Sequence, residues 1–219
     1  GISWRVDKEG PMAKVDAWAT IHAERSALAA DLEALADEPW ATPSLCGEWT
    51  VRDVLAHMTA TAKMSPPQFF VKLVTSGLSF KNLQAKDIAT EKGTSAAETL
   101  ARFKAEVDSS KHPPGPTNSW LGEAIVHSED IRRPLGIKHD YPTDATVQVA
   151  DFYKGSNLVI GAKKRIAGLK LQATDAEWSH GDGPQVSGPI LALLMAMTGR
   201  KAAIDDLTGE GVATLRSRP

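Results

Sequence analysis

Residues 122–136, GEAIVHSEDIRRPLG, keep the apolar spacing of a buried helix, yet carry a glutamate and a histidine four positions apart on the side of the apolar residues. Such residues stand one helical turn above each other, so Glu123 and His127 can reach a common point. Trp120 and Ile131 share their face. A carboxylate unpaired among such neighbours is costly or shifts its pKa, and a metal cation would remove that penalty. A surface pair, or a hydrogen bond between the two side chains, gives the same spacing, so the pattern needs a third group. His57 supplies one: it lies a turn after Asp53 and beside Val54, Leu55 and Met58, where a bundle core otherwise takes an aliphatic residue. Alone, it reads as a satisfied core histidine. Three such groups on the inner faces of two helices match the way bundles build metal sites, and they leave a coordination position open. Two nitrogens and one carboxylate oxygen suit zinc best, with nickel, iron or manganese as alternatives.

The surrounding sequence supplies the bundle. From Val15, the positions Trp18, Ile21, Leu28, Leu32 and Leu35 keep helical spacing up to Pro39. GEWTVRDVLAHM then starts a second helix at about Val51, with Thr50 as cap and Asp53 at the capping-box position. Pro66 and Pro67 interrupt, and FFVKLV at 69–74 reads as a short helix or part of a lid. A third long helix is expected from Ser95 to Val107, and a fourth from Ser119 to Leu135, closed by Arg132 and Arg133 at its negative end and by Pro134 and Gly136. Four amphipathic segments without strand signals predict an antiparallel bundle. After about residue 138 the pattern changes: a helix to about Ile160, β-like LKLQATD and AEWSHGDG, an apolar helix at 188–199 and a final VATLR strand. The fold class expected is thus α+β and mainly α, a bundle over 12–138 followed by a small α+β domain over 139–219. Residues 1–11, before Met12, read as an appended remnant or a loose arm.

Bulk properties narrow the function. The 219 residues are 42% hydrophobic, enough for a real core, and 25 Lys and Arg against 27 Asp and Glu leave no basic excess for nucleic acid or an anionic membrane. A small-molecule partner follows. The longest apolar run, PILALLMAM at 189–197, has core-helix rather than membrane length. A single cysteine closes no internal disulfide and fits a reducing cytoplasm.

The stretches PSLCGEWTVRDVLAHM, GEAIVHSEDIRRPLG, WSHGDGPQVSGPILALLMAMTGR and TGEGVATLR together resemble the DinB-like metalloenzymes, and more narrowly the actinobacterial mycothiol-dependent maleylpyruvate isomerase family. The resemblance implies a four-helix DinB-like bundle joined to a small domain resembling sterol carrier proteins. It implies metal ligands at His57, Glu123 and His127, and mycothiol, a low-molecular-weight thiol, as cosubstrate. Relatives with the same ligands include thiol S-transferases, so isomerase and transferase both remain open.

Other residues carry two readings each. Asp130, three after His127, either orients its imidazole or is a solvated acid. Arg200, in TGR after the apolar helix, pairs with a substrate or cosubstrate carboxylate as a catalytic residue, or caps the helix dipole. His180 and Asp182 in WSHGDG serve hairpin geometry or contact bound thiol. Cys46 reads as a small packed hydrophobe. The function expected is a metal-dependent, thiol-using transferase or isomerase acting on a small electrophile. The alternatives are a metallohydrolase of the same bundle type and a non-enzymatic binding module. A homodimer is an open expectation.

Overall fold

The computed structural model describes residues 15–158 and 160–219, so the reading of residues 1–11 falls outside the described residues. Asp16 caps the first helix by accepting from the Ala19 N–H, and α1 runs Ala17–Glu33. The expected capping box is present: the Thr50 hydroxyl accepts from the Asp53 N–H at 3.1 Å and the Asp53 carboxylate from the Thr50 N–H at 3.0 Å. These bonds satisfy donors that a helix start leaves open, and α2 runs Val51–Lys63. Pro66 and Pro67 begin a helix as well as interrupting one, since proline suits the first turn: α3 spans Pro66–Thr75. It buries no residue, and Phe70, Val71 and Val74, with Leu78 and Phe80 beyond it, are exposed.

The helix α4, Phe80–Lys92, was not expected from the sequence, because only Leu83, Ile88 and Glu91 of its thirteen residues are buried. It packs along α2. Gly93, at φ 60°, separates it from α5, Ala96–Lys104, which is shorter than the Ser95–Val107 expected. Together α4 and α5 make the third member of a bundle whose others are α1, α2 and α6, Thr117–Arg132. Arg132 is fully buried: it donates to Asp31 at 2.8 Å and to the Tyr141 oxygen at 3.1 Å, tying α6 to α1 and to the chain beyond.

The rest of the chain begins with α7, Thr143–Tyr153, which stops short of the expected Ile160, and a single turn, α8, Ala162–Arg165. Three short strands follow: β1, Lys170–Ala173; β2, Ser179–His180; and β3, Gln185–Gly188. Their order is β2-β1-β3, antiparallel on one side of β1 and parallel on the other. The apolar helix appears as α9, Ile190–Met197, with all but Leu191 buried. The final VATLR strand is corrected: these residues lie in α10, Val212–Ser217. Its buried Leu215 is three positions after Val212, which is helical spacing, while the strand-like pairing falls earlier, between Thr208 and Ser187. Among the described residues no helix is long and apolar enough to cross a membrane.

Two buried clusters hold the molecule. One, with Leu28, Leu32, Val54, Leu55, Phe103 and Ile131, lies within the bundle. The larger runs from Ile21, Leu121 and Ile125 through Val149, Leu171 and Leu193 to Leu215, crossing residue 138. Gly122 sits on this seam. Helix propensity alone predicts that alanine there stabilises by about 1 kcal/mol. A Cβ at this position would stand 2.5 Å from the Tyr153 Oη and 2.9 Å from its Cε2, so we expect Gly122→Ala to destabilise by about 1–3 kcal/mol instead. A lowered midpoint in urea denaturation checks this; a raised midpoint would mean that Tyr153 moves aside freely.

Candidate metal centre

The start of α2 is fixed by its cap, and two turns on it presents His57 and, one further turn on, Thr61. From α6 come Glu123 and His127, also one turn apart. The rings of His57 and His127 meet edge to face, centroids 5.1 Å apart at 88°. Glu123 Oε1 accepts from the Thr61 hydroxyl at 2.5 Å. Trp49 lies against the His57 ring at 4.9 Å between centroids. His57, Glu123 and His127 are each half-buried and so line a cleft between the two helices.

The electrostatics set these groups apart. Burial, reinforced by the neighbouring His127, holds the His57 imidazole well below its usual range. Burial would also depress His127, but the hydrogen bond and charge of Asp130, helped by Cys46, outweigh it and raise that ring. The Glu123 carboxyl is raised by burial, against the pull of His127, Thr61 and Arg25. Arg25, buried on α1, donates to the Ser109 carbonyl at 2.7 Å.

His127 is oriented from behind. Its Nδ1 stands 3.0 Å from Asp130 Oδ2, and since an ionised carboxylate only accepts, Nδ1 carries a proton; the raised ring is doubly protonated near neutrality, so Nε2 offers a lone pair only where a bound cation displaces its proton. Asp130 is fully buried. Its own partner is Arg200, where α9 has ended: Nε reaches Oδ1 at 3.0 Å and Nη2 reaches Oδ2 at 2.9 Å, while Nη1 donates to the Thr198 carbonyl at 2.8 Å. The guanidinium is paired with the buried Asp130 carboxylate, a partner neither reading named, while its Nη1 contact with the Thr198 carbonyl just past α9 is the helix-end position of the second reading.

Among the described residues, the group of three whose ligand atoms all lie within 4.8 Å of one another is Cys46, His127 and Asp130; His57, Glu123 and His127 are not drawn together that closely. Charge argues against a cation there. The Arg200 guanidinium already occupies both Asp130 oxygens and approaches the Cys46 sulfur to 3.7 Å, so a metal would sit against a fixed positive charge. This trio is better described as the far end of an Arg, Asp, His chain.

His180 and Asp182 stand apart from the cleft. His180 is the last residue of β2, paired with Leu171, and Asp182 is exposed between Gly181 and Gly183. A Cβ on those glycines would come within 2.2 Å of the Leu169 carbonyl and 2.1 Å of the Gly168 carbonyl, so tight backbone approach accounts for the GDG turn. The sequence reasoning missed Thr61, Arg25 and Tyr153. Thr61 could have been found, being four positions after His57; Arg25 and Tyr153 reach the site only through packing.

With this geometry in view, residues 21–132 match the family model of the mycothiol maleylpyruvate isomerase N-terminal domain. The chain is also similar to the crystal structure of the mycothiol-dependent maleylpyruvate isomerase, at TM-score 0.62, and to that of a histidine-to-alanine mutant, at 0.61. Each is 14% identical, with 89% of this chain and 91% of the other covered. At that identity the likeness speaks for the fold. No curated protein matches the chain in sequence.

Proposed function

Because the chain belongs to the family of the mycothiol maleylpyruvate isomerase N-terminal domain, we propose that it is a divalent-metal-dependent enzyme using mycothiol to isomerise or thiolate a small electrophile. His57, Glu123 and His127 are the proposed metal ligands, with zinc the metal their donor set suits best. The observation that carries this reading is the approach of two imidazoles from separate helices, with the half-buried Glu123 carboxylate one helical turn from His127. Among the described residues neither nitrogen of His57 meets a hydrogen-bond partner, and burial holds the Glu123 carboxyl above its ordinary range, where a bound cation would draw it down. A cation satisfies both.

A metal in this site would lower the pKa of a bound thiol, so that thiolate forms near neutrality. The chain's own part is positioning. Asp130 holds the Nδ1 proton of His127 so that Nε2 faces the cleft, Thr61 fixes the Glu123 carboxylate, and Trp49 shields His57 from water. The test is to incubate zinc-loaded protein with mycothiol and alkene, halide and epoxide acceptors. Conjugates or isomers are the expected products. Hydrolysis of a thiol-conjugate amide would replace the reading with a metallohydrolase, and no product from any acceptor would remove it.

A further inference from the structure

Among the described residues the large apolar side chains left exposed are Phe70, Val71, Val74, Leu78, Phe80 and Leu158. All but Leu158 lie on α3 or in the turn from it into α4. Phe70 and Val74 stand one helical turn apart with Val71 beside them, so α3 presents them as one stripe. No residue of α3 is buried, and the stripe projects from the bundle instead of filling it. A single exposed leucine is ordinary, but a contiguous apolar patch marks a contact surface. The turn carries a further cost. Gly77, at φ 68°, supplies the left-handed residue that ends a helix. Leu78 follows it at φ 61°, a conformation that a side chain makes unfavourable, and is 73% exposed. A strained backbone that aims leucine at water stabilises nothing within the chain, and such strain gathers at sites that bind.

Charge decides what covers this face. The chain as a whole has no basic excess, yet from Lys63 to Lys86 it carries Lys63, Lys72, Lys81 and Lys86 and no aspartate or glutamate. Lys63 pairs with Glu91 at 2.9 Å and Lys72 with Asp87 at 2.7 Å, both acids on α4. Among the described residues Lys81, next to Phe80, and Lys86, which donates to the Thr75 carbonyl at 3.0 Å, meet no carboxylate. A second copy set against the same face in a two-fold pair would place these lysines on both sides of the contact, with no unpaired acid on either. A stripe that projects, rather than a groove, fits a fluid layer that closes around it. We propose that α3 and the turn from Gly77 to Phe80 dock this protein on the surface of a bilayer containing anionic phospholipid. Phe70, Val74 and Leu78 enter the boundary between headgroups and acyl chains, while Lys81 and Lys86 stay at the level of the phosphates. The contact is peripheral and crosses nothing. Two lysines alone bind an anionic leaflet weakly, so attachment needs the apolar stripe as well. Neither part draws on the residues of the metal centre.

The test is sedimentation of the full chain with vesicles of phosphatidylcholine alone, or of phosphatidylcholine and phosphatidylglycerol in equal parts. Wild type should bind the mixed vesicles about tenfold or more tightly than the neutral ones, and added salt should release it. Phe70→Ser with Leu78→Gly should weaken binding to mixed vesicles about tenfold or more, the worth of keeping two large apolar side chains out of lipid. Its melting curve should match or exceed that of the wild type, since both side chains are exposed and glycine suits the left-handed turn. Lys81→Gln with Lys86→Gln should lose most of the preference for phosphatidylglycerol. Leu158→Ser, which removes an exposed leucine outside the stripe, should bind as the wild type does. No binding to mixed vesicles, binding that survives the Phe70 and Leu78 changes, or an equal loss in Leu158→Ser overturns the proposal. Self-association in place of vesicle binding, abolished by the same changes, would give the face to a second copy instead.

Discussion

His57→Ala should leave a folded protein that no longer holds stoichiometric metal. Loss of a partner that merely orients a metal-bound histidine costs roughly 10–100-fold in affinity, and removing one of three ligands should exceed that. Folding should survive, because among the described residues His57 makes no hydrogen bond and its ring is half-buried against Trp49. The measurement is metal per chain after dialysis, beside circular dichroism and a melting curve. The same assay separates the two groups of ligand atoms in the cleft. Cys46→Ala should retain metal, since Cys46 belongs to the trio already occupied by Arg200. Full metal content in His57→Ala, with loss in Cys46→Ala, would move the centre to Cys46, His127 and Asp130.

Asp130→Ala should be the most destabilising single change near the site. It strips the partner from a guanidinium whose side chain is only 13% exposed, and breaking a buried pair costs about 3–5 kcal/mol. For a chain of this size that is a drop of roughly 6–20 °C in Tm. The same change frees the His127 ring and should weaken metal binding about 10–100-fold. The double variant Asp130→Leu with Arg200→Met separates these effects: it should recover much of the stability, because no charge is left unpaired, while metal affinity stays low. Recovery of both would mean that Asp130 does not position His127. The pH dependence follows from the sign of the shift. Burial would raise the Asp130 carboxyl, but His127 and Arg200 outweigh it and hold it below the ordinary range. Its stabilisation is therefore complete above that range and is lost as pH falls through the lowered value, a loss the double variant should not share.

Much of this was legible in the sequence, for reasons that can be stated. The capping box at Thr50 is a local signal and gave the register of α2, hence the inward direction of His57. Glu123 and His127 were readable because a helix repeats its face every turn, and Asp130 because it follows His127 by three. What local pattern cannot carry is a contact between residues far apart in the chain. Arg200 and Asp130 are separated by 70 positions, so a sequence reading that offered a ligand carboxylate or the end of the helix as the guanidinium's partner did not reach the buried carboxylate it pairs with. Tyr153 reaches α6 only because α7 folds back on it at a glycine. The helix α4 was overlooked because its burial comes from three residues among polar ones, and VATLR was taken for a strand on the β-propensity of Val and Thr, which the spacing of Val212 and Leu215 overrides.

The interlocking of Ile21, Leu121 and Ile125 with Val149, Leu193 and Leu215 bears on how such a chain can be re-engineered. Grafting the last third of a relative onto this bundle would have to re-match an apolar interior as well as a ligand-facing surface. A chimera joined at residue 138 would exchange Arg200 and so change the partner of the Asp130 carboxylate that holds His127, even if His57, Glu123 and His127 were kept.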